Sequence, residues 1–241
     1  MTVLGDQRSE LTTPSDLPPL VVEARDLCKV YRRGAEEIRA LDGVTLSIRA
    51  GEFVAVVGPS GAGKSTLLQL VGGMDVPSSG CLIVAGREMA RLPDGELTRM
   101  RRECVGFVFQ HFGLLPTLTV EENVALPALF GHRHARGRVQ ELLERVGLAH
   151  RRRHRPAQLS GGEMQRAAIA RALINSPAVM LADEPTGNLD SATSAQILDL
   201  FRELNAGGQT VVVVTHNEDL AAAASHRILL CDGRVASDSS A

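Results

Sequence analysis

From Leu20 the apolar residues come in short runs rich in β-branched side chains: "LVVEARDLCKVY" (20–31), "VTLSIRAGE" (44–52), "EFVAVVG" (52–58) and "CLIVAG" (81–86). Gly and Asp turns separate them, so each run predicts a strand. Between them "GKSTLLQLVGG" (63–73) carries leucines at helical spacing and ends in glycines, which predicts a helix. A strand is predicted at "VGFVF" (105–109), after which the period changes. "TVEENVALPALF" and "RVQELLERVGL" read as helices, with Val139, Leu142, Leu143 and Val146 on the i, i+3, i+4, i+7 spacing of one buried stripe.

After Ser160 the alternation of strand and helix resumes. It predicts a helix from about Gly161 to Ile174, a strand "AVMLAD" (178–183), a helix from about Ala192 to Leu204 and a strand "TVVVVTH" (210–216). Near-continuous apolar strands alternating with helices are the mark of a parallel sheet covered on both faces. The end, "HRILLCDGRVAS" (226–237), predicts a hairpin about the Asp232-Gly233 turn. The expected organisation is a charged, Pro-containing and disordered tail over residues 1–19, then one domain over 20–241. Within it, 20–110 and 159–241 form an α/β core with a β subdomain, and about 111–158 form an inserted helical subdomain with the helix from Gly161 at its end.

A length of 241 residues suits one large domain with a subdomain inserted. The polar N-terminus lacks the apolar centre of a signal peptide, and no apolar run approaches the length of a membrane span, so the chain is expected in the cytosol. A formal net charge of −2 and the lack of tryptophan argue against a nucleic-acid partner. Positive charge is local, in "HRHARGR" (132–138) and "HRRRHR" (150–155); it reads as a solvated face or as proximity to an anionic membrane. Cys28, Cys81, Cys104 and Cys231 are scattered without paired spacing and read as ordinary thiols.

The chemistry begins at Gly58-Pro59-Ser60-Gly61-Ala62-Gly63-Lys64-Ser65-Thr66, which fits G-x-x-x-x-G-K-[ST] between an apolar strand and a helix. Glycines let successive backbone N–H groups face a nucleotide's β-phosphate, and the helix N-terminus adds positive potential. Lys64 supplies a full charge to the β- and γ-phosphates, and the Ser65 hydroxyl is placed to ligate Mg²⁺. In "VMLADEP" the apolar run ends at Asp183, whose carboxylate is expected in the Mg²⁺ shell. Glu184 next to it is the candidate to orient or deprotonate the attacking water. His216 closes "VVVVTH" at the same expected edge, where an imidazole would hold the γ-phosphate and water in line. Gln110, after "VGFVF", is in position to touch Mg²⁺ or water and to register the helical insertion.

A second anion cradle, "LSGGE", opens the helix after Leu159 with Ser160, Gly161 and Gly162. That helix belongs with the insertion, away from the first cradle, so its phosphate is best supplied by a second copy of the chain. Two copies related by a twofold axis would then bury two ATP molecules, each between one chain's Lys64 loop and the other's Ser160.

The ordered set of P-loop, Gln110, "LSGGE", "LADEP", "NLD" and "TH" resembles the nucleotide-binding domain of ABC (ATP-binding cassette) proteins over roughly Leu20 to Val235. The resemblance implies a P-loop NTPase (RecA-like) core with a mostly parallel sheet, an antiparallel β subdomain and an α-helical subdomain. It implies ATP hydrolysis with Mg²⁺ in a dimer that closes on ATP. It also implies that Tyr31 stacks on adenine, the alternative being a strand-packing role, and that Asn188, Leu189 and Asp190 form the loop that crosses the dimer axis, with Asp190 near the nucleotide.

The finer pattern "GFVFQHFGLLPTLTVEENVALP" with "LADEPTGNLD" is similar to the MacB, LolD and FtsE branch, whose members export macrolides and peptides, release lipoproteins or regulate cell division. The similarity implies a separate membrane permease of MacB, LolC or FtsX type and a peripheral place on the inner face of the membrane. Met164 departs from the Gln usual in that branch, away from the phosphate contacts. A soluble iron-sulfur assembly ATPase is the alternative. DNA-repair relatives are disfavoured because heptads and paired cysteines are missing, and translation factors because one cassette is present rather than two.

Overall fold

The computed structural model of the chain describes residues 17–34, 36–130 and 136–240. The expected tail up to residue 16, and most of the basic run at 132–138, lie outside the described residues. In chain order the elements are β1 (Leu20–Arg33), β2 (Glu36–Arg49), β3 (Phe53–Val57), α1 (Lys64–Val71), β4 (Ser79–Val84), β5 (Arg87–Glu88), α2 (Asp94–Cys104) and β6 (Val105–Val108). There follow α3 (Val120–Leu129), α4 (Arg136–Arg145), α5 (Gly161–Leu173), β7 (Val179–Asp183), α6 (Ser191–Ala206), β8 (Val211–Val214), α7 (Glu218–Ala223), β9 (His226–Cys231) and β10 (Arg234–Ser240).

The strands form two sheets. A six-stranded sheet has the order β10-β9-β3-β8-β7-β6, parallel except for the antiparallel β9–β10 hairpin, and a four-stranded antiparallel sheet has the order β2-β1-β4-β5. Strand β3 shows why its sequence is uniformly apolar. Phe53, Ala55 and Val57 face one core, with α3, α4, α5 and α6, while Val54 and Val56 face the other, with α1 and the antiparallel sheet. A strand buried on both faces has no polar side to alternate with.

The helical stripe read from the sequence is buried: Val139, Leu142, Leu143 and Val146 are at most 8% exposed. Helix α3 starts with a capping box in which the Thr119 side chain accepts from Glu122 N and Glu122 accepts from Thr119 N. It packs against α5, and α5 in turn lies on β6 so closely that a Cβ on Gly106 would sit 2.4 Å from the Ala172 carbonyl oxygen. Part of the second basic run braces this helix, since Arg151 Nε donates to Glu163 in the first turn of α5 at 3.1 Å.

The structure adds elements the apolar pattern does not show. Helix α2 buries only Leu97 and Met100, too few to mark a stripe in a highly charged segment. Helix α7 is six residues long, capped by Asn217, which accepts from Leu220 N. Strand β2 begins at Glu36 rather than Val44, because its exposed first half pairs with the end of β1, Ile38 opposite Tyr31. Strand β6 ends at Val108, which leaves Gln110 in the following turn.

The Asp232-Gly233 hairpin forms as expected, with both residues at positive φ. It braces the first phosphate cradle: Gly233 N donates to Ala62 O at 3.2 Å. At its far end His226 is buried between two carboxylates, Nδ1 3.0 Å from Glu52 and Nε2 2.5 Å from Asp238. Two ionised acceptors call for two N–H donors, which only the imidazolium has. Burial alone would lower the His226 pKa, but the hydrogen bonds and charges of Asp238 and Glu52 outweigh it and raise the value above 6.5.

A raised folded pKa means that this contribution to stability is fully present below the unfolded value and is lost as pH rises through the folded one. Wild-type Tm is therefore expected to fall from about pH 6.5 upward more steeply than that of His226→Gln. Parallel melting profiles for the two proteins would contradict this.

Candidate functional site

The parallel strands end level with one another. Ala182 is paired with Val108, and Asp183 with Val214, which lies opposite Val56. The loops leaving β3, β6, β7 and β8 therefore open on a single edge, the usual ligand edge of such sheets. The loop after β3 is Gly58 to Gly63. Its backbone runs too close to its surroundings for side chains: a Cβ on Gly58 would lie 2.1 Å from Leu230 O, and one on Gly63 2.3 Å from Ala40 O. Both residues have positive φ, 148° and 97°. Pro59, Ser60, Gly61 and the buried Ala62 complete the turn, and Ala62 N donates to Pro59 O at 3.2 Å.

Lys64 opens α1 and is only 6% exposed. Its Nζ donates to Gly58 O and Pro59 O, each at 2.9 Å, so the loop's own carbonyls point the ammonium back across the turn. Ser65 Oγ donates to Asp183 Oδ1 at 3.3 Å. Burial pushes the Asp183 carboxyl pKa up, only partly offset by the Ser65 hydroxyl and the Lys64 charge. The carboxylate is thus short of positive charge. Among the described residues no three His, Cys, Asp or Glu side chains converge as a metal cage. A hydroxyl and one carboxylate instead make a hard oxygen set that matches Mg²⁺ shared with phosphates.

Glu184 follows Asp183 in a left-handed conformation, φ 44°, which is costly for a residue with a Cβ. Its Oε2 accepts from His216 N at 3.2 Å and its Oε1 lies 3.4 Å from His216 Nε2. Glu184 is mostly covered, while His216 is open. Gln110 is held at the same place from outside the strand: Asn188 Nδ2 donates to Gln110 O at 2.9 Å, and the Gln110 amide lies beside Gly187, where a Cβ would be 3.0 Å from Nε2. Lys64, Ser65, Gln110, Asp183, Glu184 and His216 therefore share one edge.

Tyr31 sits at the margin of this group. Its hydroxyl donates to Asp75 Oδ2 at 2.9 Å, and Lys29 Nζ, itself 2.6 Å from Asp75 Oδ1, lies 4.9 Å from the ring centre. Burial raises the Asp75 pKa, but hydrogen bonds from Lys29, Val76 N and Tyr31 outweigh it and hold the carboxyl below its ordinary value.

Ser160 is the N-cap of α5. Its Oγ accepts from Glu163 N at 3.2 Å, and Glu163 returns the bond by accepting from Ser160 N at 2.8 Å. Since the hydroxyl accepts within the cap, its proton is available to an outside acceptor. The Gly161 and Gly162 turn packs against the segment after Glu184: Cβ atoms there would meet Leu189 Cδ2 at 3.1 Å and Thr193 Cγ2 at 2.4 Å. Asp190 is spoken for within the chain. Its carboxylate caps α6, accepting from Thr193 N at 2.9 Å and Thr193 Oγ1 at 2.7 Å.

Known proteins share this arrangement. The family profile described as ABC transporter matches residues 41–187, the stretch that runs from the first phosphate cradle through Gln110 and Ser160 to Glu184. The chain belongs to the ABC transporter family.

Among its relatives in the ABC family, the lipoprotein-releasing system ATP-binding protein LolD of Xanthomonas campestris pv. campestris is 49% identical over 213 residues, 87% of this chain and 89% of that one. The macrolide export ATP-binding/permease protein MacB of Hyphomonas neptunium is 46% identical over 225 residues, 92% of this chain. The chain spans about a third of that MacB protein's length, 35%. A solved structure of the cassette MJ0796, a dimer in a post-hydrolysis state with ADP and Pi, is 45% identical and superimposes with a TM-score of 0.84, covering 91% of this chain and 98% of that one. The fold is that of an ABC ATPase, as the sequence resemblance implied.

The ABC motifs do not mention two side chains that the structure draws into the site. Gln165 is fully buried in α5, and its Nε2 donates to Pro185 O at 2.7 Å, one residue beyond Glu184. Arg171, two turns further along α5, donates to the carbonyls of Phe112 and Gly113, just after Gln110. A glutamine among the alanines of the buried face was the available signal for Gln165.

Proposed function

We propose that two copies of this chain enclose two Mg-ATP molecules and couple their hydrolysis to a separate membrane permease, in export, lipoprotein release or mechanotransmission. The observation that carries the sandwich is the first turn of α5: a capped helix N-terminus with a donor hydroxyl and no Cβ on its next two residues, in the same chain as a complete P-loop. The dimeric state of the MJ0796 cassette supports the same reading. Each nucleotide then lies between one copy's P-loop and its partner's Ser160, Gly161 and Gly162.

In this reading Gly58 to Thr66 wrap the phosphates, and Lys64 redirects its ammonium from the loop carbonyls to the β- and γ-phosphates. Tyr31 offers its ring to adenine. Ser65, Asp183 and Gln110 would hold Mg²⁺, which would neutralise phosphate charge there. Glu184 accepts a proton from the attacking water, and His216 orients its carboxylate through a backbone N–H and the imidazole. Asp190, fixed as a helix cap, sets the position of the Asn188–Leu189 loop at the dimer axis. Catalysis is positioning and charge stabilisation, with no covalent intermediate on the chain.

A cytosolic, membrane-peripheral location fits the absence, among the described residues, of a helix long and apolar enough to cross a bilayer. A permease segment would dock near α3, whose Pro127 lines a groove with Met74, Phe107 and Phe109, and where Leu129 and Phe130 at the helix end are 65% and 66% exposed. The names of the LolD and MacB relatives favour the branch. The test is affinity capture of Glu184→Gln with Mg-ATP from detergent-solubilised membranes of the source organism. A four-helix membrane protein with a large extracytoplasmic domain is the expected partner; recovery of soluble proteins alone would overturn the permease assignment.

A further inference from the structure

Two loops of the site are built on left-handed residues that carry a Cβ: Glu184 at φ 44° and Phe112 at φ 60°. Such conformations persist where surrounding contacts enforce them. In both loops a side chain from α5 supplies an enforcing contact by donating to a carbonyl. Gln165 reaches Pro185 O, and Arg171 reaches Phe112 O at 2.9 Å and Gly113 O. The helix that makes these contacts is fixed, since Gly106 and Gly162 bring it too close to β6 and α6 to admit even a Cβ.

Gln165 is the more informative of the two. Pro185 has no N–H, so its carbonyl must receive the amide's Nε2, and the amide cannot be turned round. That leaves Gln165 Oε1 buried without a partner among the described residues. A leucine or methionine would fill the same space on this Ala-rich face but would leave the buried Pro185 carbonyl without this donor. Apolar packing alone does not call for a glutamine here; what its amide adds is the bond to the Pro185 carbonyl.

We infer that Gln165 is a positioning residue for Glu184, holding the Asp183-Glu184-Pro185 turn so that the carboxylate faces the γ-phosphate. It also ties that turn to the helix whose first residue, Ser160, reads the partner's nucleotide. The path from Ser160 to Gln165 is less than two helical turns, so the cap and the contact to the Glu184 turn belong to one short stretch of the same packed helix. The inference rests on the general-base reading of Glu184.

The test is Gln165→Met, which keeps the length and removes the donor. The expected result is kcat lowered about 10- to 100-fold, the loss typical of a misplaced catalytic group, with KM for ATP and nucleotide affinity within about twofold of wild type. Gln165 Oε1 is lost along with the donor while the Pro185 carbonyl loses its partner, so the two effects offset and Tm is expected to fall only modestly. A fall in Tm with kcat intact would make the bond merely structural and overturn the proposal.

If Gln165→Met folds poorly, Gln165→Glu decides. Buried against a carbonyl, its carboxyl has a raised pKa and donates an O–H to Pro185 only when neutral, so its kcat relative to wild type should climb as pH falls. A ratio that does not change with pH overturns the proposal. Glu184→Gln separates the two levels: hydrolysis at the wild-type rate in that chain would sink the general-base reading, whereas its inactivity beside an unaffected Gln165→Met would sink the positioning role alone.

Discussion

Ser160→Arg is expected to abolish ATP hydrolysis while leaving the Kd for ATP within about threefold of wild type, in keeping with neutral contacts elsewhere in the site. The reason is geometric. Every contact proposed for the bound phosphates within one chain comes from Gly58 to Thr66, Gln110, Asp183, Glu184 and His216, and those residues share the C-terminal edge of the parallel sheet. Ser160 caps the start of α5, outside that set, and in the proposed dimer it would act on the other copy's nucleotide. Arginine removes the hydroxyl that accepts from Glu163 N, which costs about 1 kcal/mol of helix stability. It also places a long, charged side chain at the helix N-terminus that is proposed to receive the partner's phosphate. Measured Kd by nucleotide titration and turnover by phosphate release decide the matter; loss of ATP binding in this variant would mean that Ser160 acts within its own chain.

The second large effect concerns Glu184. Its carboxylate is held by His216 N at 3.2 Å and has the imidazole 3.4 Å away, so it is fixed at the edge of the P-loop rather than free in solution. Glutamine keeps the size and can still accept from His216 N, but it cannot take a proton. Steady-state turnover is expected to fall about 10²- to 10⁴-fold, the usual contribution of a positioned general base, with ATP affinity retained. Wild-type turnover in Glu184→Gln would assign activation of the water elsewhere.

The parallel core was legible because burial on both faces writes itself into the sequence as unbroken apolar runs: Val211–Val214 and Phe53–Val57 are buried throughout. The P-loop was legible because its glycines are sterically required and its Lys and Ser follow at fixed spacing. Helix α2 was not legible, since a surface helix with two buried side chains has no periodic stripe to read. That Lys64, Ser65, Gln110, Asp183, Glu184 and His216 share one edge follows from where the apolar strands end, but the sequence could not show that Glu184 sits at positive φ or that Asp190 spends its carboxylate on Thr193. The basic run at 150–155 read as a solvated face or a membrane-facing patch. One of its members, Arg151, instead braces Glu163 and so the cap at Ser160, a long-range ion pair that charge patterning along the chain does not reveal.

Hydrolysis and dimerisation are linked in this account through the γ-phosphate, which contacts both copies and favours the closed state only by its difference in affinity for closed over open. The most direct measurement is therefore the solution mass of Glu184→Gln, by sedimentation velocity over a range of protein concentrations, with Mg-ATP, with Mg-ADP and without nucleotide. A stable dimer is expected with Mg-ATP and a monomer in the other two conditions. A monomer in all three would contradict the nucleotide sandwich on which the proposed function rests.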